Sequence, residues 1–381
     1  MVLSRGKTVG DAGSFGWLRT LDPILLVTSL SLTAFGVLAV YLASSDGGEN
    51  YALNQILGFT VGLAGAVPLA LMDYRRLRGY LPLLYGLTIV MLLVVEITPY
   101  SAGGAQRWID IGPVQFQPSE FAKVLMVVVL AGYFCDKRLG DNRVFLKSLC
   151  IIALPALLVF AQPDLGTALV FGAVFFVMAF VGGAKLYQLG FLAASGVVLF
   201  ALAVKFEIIE DYQVARLTSF LDPAAAGVTD EGYQVLQSKM AIGSGGLTGK
   251  GLDAAVTLAN LGFLPEDHTD FIFSNLAEKI GFVGGVLLLG LFFILIWRML
   301  RVATIARDRF GILIAVGVAT IFLCHVFVNV GMTMGIMPVT GIPLPFVSYG
   351  RSSLVVSVIC LGLLQSIVVR SKTEGYKGAD V

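Results

Sequence analysis

The chain has 381 residues, 57% of them hydrophobic and 13% charged, with a mean hydropathy of +0.87. That composition excludes a soluble domain and marks an integral membrane protein. A net charge of +1 with no concentrated basic patch excludes a nucleic-acid partner. Cys135, Cys150, Cys324 and Cys360 lie in or beside apolar runs without CxxC spacing, and so read as small core residues, not as disulfides or a zinc site.

Apolar runs of about 20 residues mark transmembrane helices. They fall at 23–43, 54–72, 79–97, 119–135, 147–162, 164–183, 187–205, 274–297, 309–332 and 350–370. The expected fold is an all-α integral membrane protein of about ten transmembrane helices. It forms one polytopic domain over residues 1–381, with a long loop at 206–273 between the seventh and eighth spans. Residues 1–22 are polar and lack a signal-peptide pattern, so the first span is expected to act as an uncleaved signal. With the N-terminus in the cytoplasm, Arg75, Arg76, Arg78, Lys137, Arg138, Arg298, Arg301 and Arg370 all fall on cytoplasmic segments, as the positive-inside rule favours. Segments 1–22 and 371–381 are then cytoplasmic, and 206–273 is extracytoplasmic.

After the third span, Trp108, Ile109, Ile111 and Phe116 alternate with polar groups. This suits a re-entrant or interfacial segment with the indole at headgroup depth. Glu120 and Lys123 stand at i and i+3 on one helix face. A simple ion pair or a capping box begun by Gln117 would account for them. A wet cavity accounts better for ionised groups in the first turn of a membrane helix. Asp164, between the fifth and sixth spans, is either a helix N-cap or a support for that cavity. The Gly-rich run Ile242–Gly251 fails the phosphate-loop pattern: Ser244 stands where the first glycine belongs, and Gly251 follows Lys250 in place of Ser or Thr. It reads as a flexible, backbone-exposed loop.

In Leu264–Phe273, polar residues crowd together directly before an apolar span: Glu266, Asp267, His268, Thr269 and Asp270. Pro265 suits a helix start, and Thr269 or Asp270 could cap it. The run reads equally as an acid or base held at the membrane surface, where ionisable groups are costly and functional. His325, with Asn329 one turn later, reads as a satisfied interhelical hydrogen-bonding group and not as a catalyst. Met337–Ser353 holds Pro338, Pro343, Pro345, Gly341 and Gly350, which interrupt a helix; broken backbone at membrane depth must line protein or water. These stretches outline an outer cavity with carboxylates (Asp270, Glu266, Asp267, Glu120) and cations (Arg107, Lys123, Lys239, Lys250, Arg351). It suits an amphiphile with a lipid tail and an anionic headgroup. No ATP exists outside, so such a substrate carries its own driving force.

At these residues the chain resembles the SEDS family of shape, elongation, division and sporulation proteins. The resemblance covers nearly all the chain: Gln117–Lys123 (QPSEFAK), Gln162–Ala168 (QPDLGTA), Leu264–Phe273 around HTDFIF, and Met337–Gly350 (MPVTGIPLPFVSYG). The second and fourth motifs, with Ala241–Gly251, look like the elongation (RodA-type) branch more than the division (FtsW-type) branch. The resemblance implies an inverting peptidoglycan glycosyltransferase that polymerises lipid II, an undecaprenyl-diphosphate-linked muropeptide, into β-1,4 glycan strands. The reaction would run on the outer face of the bacterial cytoplasmic membrane during elongation. Asp270 matches the family's essential aspartate, here a general base, and Glu120 and Lys123 would line the same cavity. Arg107, Trp108, Lys239, Glu266, His268, Thr269, Ser348, Arg351 and Ser352 complete the expected substrate-binding set. The implied partners are a class B penicillin-binding protein transpeptidase, the elongation machinery and membrane lipid. No nucleotide is needed; a divalent cation (Mg or Mn) is left open, its ligands unknown. Two residues depart from the family pattern: Lys279 stands where a second glutamate is usual, and Arg351 where a glycine follows SYG. Both would make the cavity mouth more positive. A lipid II flippase, a non-catalytic scaffold and the division paralogue are the alternatives. The one-sided ionisable cluster and the lack of an internal repeat favour an enzyme over a transporter.

Overall fold

The computed structural model describes residues 20–43, 51–97, 108–111, 114–162, 164–206, 216, 230–252, 257–258, 261, 263 and 268–377. The first helices are α1 (Pro23–Ala43), α2 (Tyr51–Leu71) and α3 (Leu81–Ile97), the last entered through a 3-10 segment at Tyr74–Tyr80. Then come α4 (Pro118–Cys135), α5 (Asn142–Ala161), α6 (Leu165–Val181) and α7 (Leu186–Lys205). The remainder are α8 (Asp230–Ser244), α9 (Ile272–Ile305), α10 (Arg309–Thr333) and α11 (Arg351–Lys377). Among the described residues, nine helical stretches are long and apolar enough to cross a membrane, and Leu165–Val181 is a shorter apolar helix. The expected ten spans are therefore present, and the chain is a multi-pass membrane protein.

Local chemistry explains where these helices start. Asp141, Asp164 and Asp308 are N-caps whose carboxylates accept the amides of Arg143, Thr167 and Gly311 at 2.9, 3.1 and 2.7 Å. The alternation after the third span produces a short antiparallel hairpin, β1 (Ile109–Ile111) with β2 (Val114–Phe116), Ile109 facing Phe116. This is the strand period, in place of a re-entrant segment.

The centre of the bundle is α4, α10 and α11, whose apolar windows are 78%, 72% and 89% buried, against 11% for α7. Val27, Leu83, Phe191 and Phe293 face outward, as side chains do where lipid is the solvent. With lipid outside, helices gain from close backbone approach. A Cβ on Gly362 would lie 2.4 Å from the Ala66 carbonyl, and one on Gly62 2.8 Å from Val358 Cβ, so α2 and α11 touch through glycines. At the end where α1 begins and α4 and α9 finish, ion pairs join Arg78 to Asp136, Arg298 to Asp22, and Arg75 to Asp308. Burial acts to raise the Asp308 carboxyl, but hydrogen bonds from Tyr74, the Gly311 amide and Arg75 outweigh it and hold the group below its ordinary value.

The 206–273 segment is not all loop. Within it α8 packs on α9 and α10, with Ser238 Oγ donating to the Thr333 carbonyl at 2.7 Å and meeting Ser274 Oγ at 2.6 Å. Nor is Ile242–Gly251 loose, although much of it is exposed. The eighth span breaks at Gly281 (φ 69°, ψ −169°), and residues 246–251 fill the break. Lys250 and Gly251 amides donate to the Glu278 and Lys279 carbonyls at 3.0 Å each; Phe282 and Val283 amides donate to the Gly246 and Leu247 carbonyls at 2.9 and 3.1 Å. The carboxylate of Glu278, wholly buried, secures this strap through Lys250 Nζ (2.5 Å), Ser244 Oγ (3.2 Å) and the Leu258 amide (2.9 Å). Lys250 is thus engaged away from the expected cavity. Lys279 Nζ donates to the Leu42 carbonyl at 2.7 Å, placing its charge at the C-terminal end of α1, where the dipole favours it.

A Cβ on Gly281 would lie 2.2 Å from Gly249 N. Gly281→Ala is therefore expected to cost at least about 1–3 kcal/mol of backbone strain. It should appear as a lower melting temperature of the detergent-solubilised protein and faster proteolysis within 245–258.

Candidate active site

Polar residues converge where α2, α4, α9 and α11 begin and α10 ends. The turn His268–Asp270 leads into α9, whose N-cap is Phe271 with no side-chain cap. Neither Thr269 nor Asp270 is the cap, in contrast to the sequence expectation. The Ser274 and Asn275 amides donate to the Phe271 carbonyl at 3.0 and 3.2 Å, so the helix starts later and Asp270 remains in the turn, half-buried.

The broken stretch between α10 and α11 passes beside this turn. Gly335 and Gly341 have φ of +70°, and Phe346, with a side chain, has φ of +66°. Such strain persists only where the surroundings impose it. Gln55 Nε2 donates to the carbonyls of Phe346 and Ser348 at 3.4 and 3.2 Å, and the Leu344 amide donates to Ser348 Oγ at 2.8 Å. A Cβ on Gly341 would sit 3.4 Å from Asp270 Oδ2, so the carboxylate lies over that glycine. Asn329 Nδ2 donates to the Asp270 carbonyl at 3.0 Å and to the Ile342 carbonyl at 2.9 Å. The Tyr349 amide donates to the His268 carbonyl at 2.9 Å. The His268 ring stacks on Tyr51, with centroids 5.0 Å apart, and Tyr349 meets Tyr51 edge-on at 4.9 Å. Beside Gly341, Thr340 Oγ1 is buried with no hydrogen-bond partner among the described residues.

Glu120 and Lys123 form a buried ion pair, Nζ to Oε1 2.6 Å. Lys123 Nζ also lies 2.8 Å from His325 Nε2, and His325 Nδ1 lies 3.1 Å from the Pro343 carbonyl. The pair is thus enclosed by protein instead of opening on a wet cavity. Its cost of burial is met by a third polar group that sequence reading treated as separate. His325 is satisfied between helices, as its sequence setting suggests.

Of the other expected site residues, Ser352 Oγ accepts the Gln117 amide at 3.0 Å, bracing the start of α4. Arg351 Nη2 donates to Tyr349 Oη at 3.2 Å, beside His268. Asp164 caps α6, the first of its two readings, and also accepts from Ser119 Oγ at 3.5 Å. Lys239 lies along Gly335, in the turn that follows α10, and Trp108 is half-buried just before β1. Arg107, Glu266 and Asp267 lie outside the described residues. Tyr51, Gln55 and Thr340 did not stand out in the sequence, because a polar residue inside or beside an apolar run does not announce its partner; Asn329 was noticed beside His325, but not its hold on Asp270. No three His, Cys, Asp or Glu side chains among the described residues are placed to hold a metal ion.

The fold and site define a polytopic membrane protein with a carboxylate-bearing turn held against an interrupted helix. The chain belongs to the FtsW/RodA/SpoVE family: the family model, described as cell cycle protein, matches residues 23–373. It is 39% identical over 358 residues to the peptidoglycan glycosyltransferase MrdB of Escherichia coli (strain K12), covering 92% of this chain and 94% of that one. A solved chain from a peptidoglycan synthase complex that coordinates polymerisation and crosslinking superposes with a TM-score of 0.78 at 29% identity, covering 92% and 98%. The rod shape determining protein RodA of Thermus thermophilus superposes at 0.69 with 30% identity, covering 91% and 96%.

Removing one member of a buried ion pair costs about 3–5 kcal/mol, whereas removing both can be nearly neutral. Lys123→Met alone is expected to lower the melting temperature strongly, and Glu120→Gln with Lys123→Met to recover most of the loss in the same thermal assay.

Proposed function

We propose how this chain, a peptidoglycan glycosyltransferase like the relatives it matches, performs its reaction: Asp270 acts as general base in the polymerisation of lipid II on the outer face of the cytoplasmic membrane. The observation that carries this is the setting of Asp270, a half-buried carboxylate over Gly341 in a turn clamped by Asn329 and Tyr349. A base must be held still yet remain reachable, and this one is both. The acceptor sugar's 4-hydroxyl oxygen attacks the anomeric carbon of the donor, the bond from that carbon to the diphosphate breaks, and the hydroxyl proton passes to Asp270. One displacement inverts the α-linked donor to a β-1,4 linkage. The diphosphate leaving group supplies the driving force, so no nucleotide enters. A positioned base typically contributes about 10²–10⁴-fold.

Arg351 opens α11, so its guanidinium and the positive end of that helix can neutralise the departing diphosphate together. The rings of Tyr51, His268 and Tyr349 offer apolar faces to the sugars. Positive-inside placement puts this end of the bundle outside and both termini in the cytoplasm. A class B penicillin-binding protein is the proposed transpeptidase partner, since a coordinating complex is described for a structural relative.

The test is polymerisation of labelled lipid II by the purified full chain with that partner. Asp270→Asn keeps size and removes the base, and is expected to reduce polymer at least ~10²-fold while melting temperature and partner binding are retained. Undiminished polymer would reject Asp270 as the base. No polymer from either form, beside an active partner, would favour a flippase or a scaffold.

A further inference from the structure

The Glu120–Lys123 pair is buried on both sides, Glu120 3% and Lys123 2% exposed, so its charge does not simply face a ligand. What it does face is His325. Lys123, ion-paired with Glu120, is an ammonium with three N–H donors and no lone pair. At 2.8 Å from it, His325 Nε2 must accept. The proton of the neutral ring is then on Nδ1, where it donates to the Pro343 carbonyl at 3.1 Å. Both neighbours demand the same tautomer: the ammonium has nothing to accept with, and the carbonyl has nothing to donate.

His325 and Asn329 are i and i+4 on one face of α10. Together they grip two successive carbonyls, Pro343 by His325 and Ile342 by Asn329, and Asn329 also holds the Asp270 carbonyl. The gripped residues adjoin Gly341, over which the Asp270 carboxylate lies. A connected path therefore runs by hydrogen bonds from Glu120 through Lys123 and His325 to Pro343, across the peptide bond to Ile342, and by hydrogen bonds through Asn329 to the Asp270 turn.

We propose that His325 is a positioning residue for glycosyl transfer: the Lys123 ammonium locks its ring with the proton on Nδ1, and in that form it holds residues 341–343 under Asp270. This rests on the glycosyltransferase reading above. It assigns Glu120 and Lys123 a task other than touching substrate, namely orienting the base from behind. A ring with its proton on Nε2 would face Lys123 donor to donor and Pro343 lone pair to lone pair, and the segment beneath Asp270 would lose its anchor.

Two readouts on the full chain test this. The sequence holds only two histidines, so ¹⁵N-histidine labelling gives two imidazoles, assigned with His325→Gln. The native spectrum is expected to report a protonated Nδ1 and a bare Nε2 at His325, and the double variant Glu120→Gln/Lys123→Met is expected to lose that preference. In the polymerisation assay, His325→Leu is expected to lower kcat on the order of 10²-fold, the scale of a misplaced catalytic group, with KM for lipid II changed less than about threefold. His325→Gln, whose amide both accepts and donates, is expected to regain at least about tenfold of that loss, which a merely space-filling role would not produce.

A native ring protonated on Nε2 overturns the proposal. So does His325→Leu at the native rate, or a folded His325→Gln no more active than His325→Leu. If His325→Leu does not fold, the spectrum decides, together with His325→Gln, which is then expected within about tenfold of the native rate and overturns the proposal if it is folded and slower than that. A native chain that makes no polymer overturns the enzymatic reading and the rate effect together, whereas the tautomer is measured without any turnover.

Discussion

Backbone that leaves a helix at membrane depth has no water to bond to, and each unpaired group there costs several kcal/mol. Among the described residues, the backbone of this chain leaves a helix in this way at two places: at Gly281 within α9, and between Thr333 and Arg351. Much of what is distinctive about it follows from how the freed carbonyls and amides are paired again. At Gly281 the answer is other backbone, since residues 246–251 bond across the break. Between α10 and α11 the answer is side chains: Gln55, His325 and Asn329 each reach a carbonyl of the interrupted stretch. The first solution closes the helix break. The second leaves a shaped segment with polar groups beside it, and there Asp270 lies.

The electrostatics follow the same division. Where α1 begins and α4 and α9 finish, Arg75–Asp308 and Arg78–Asp136 are partly exposed pairs, which belong at a wet surface and contribute little each, and only Arg298–Asp22 among the described pairs there has its carboxylate buried. At the opposite end the Glu120–Lys123 pair of α4 is buried and held by His325. A buried pair is weak evidence of stability but good evidence of orientation. Its charges fix the direction of hydrogen bonds that a neutral network would leave free to rotate.

The departures from the family pattern are read in the same terms. Lys279 does not add charge to the cavity; its ammonium reaches the last turn of α1 through the Leu42 carbonyl. Arg351 stays beside the site, bonded to Tyr349 next to His268. Of two cations equally conspicuous in the sequence, one joins two helices and the other stays beside the Asp270 turn.

The sequence by itself determined the ten spans, because a membrane helix needs about 20 apolar residues and nothing else in the chain offers them. It also offered Asp164 as a helix start, since capping is local, whereas the caps at Asp141 and Asp308 emerged only with the structure. The motif residues Asp270, Glu120 and Lys123 were legible for a similar reason: charge beside an apolar run is rare enough to be noticed. Only the tertiary structure decided who their partners are. Nothing in the spacing of His325 and Lys123, or of Gly249 and Gly281, tells that they touch, because those contacts join residues far apart in the chain. The delayed start of α9 and the docking of Ile242–Gly251 escaped sequence reading for that reason. A turn's neighbours, and not its own residues, decide where the helix begins and whether a glycine-rich run stays loose.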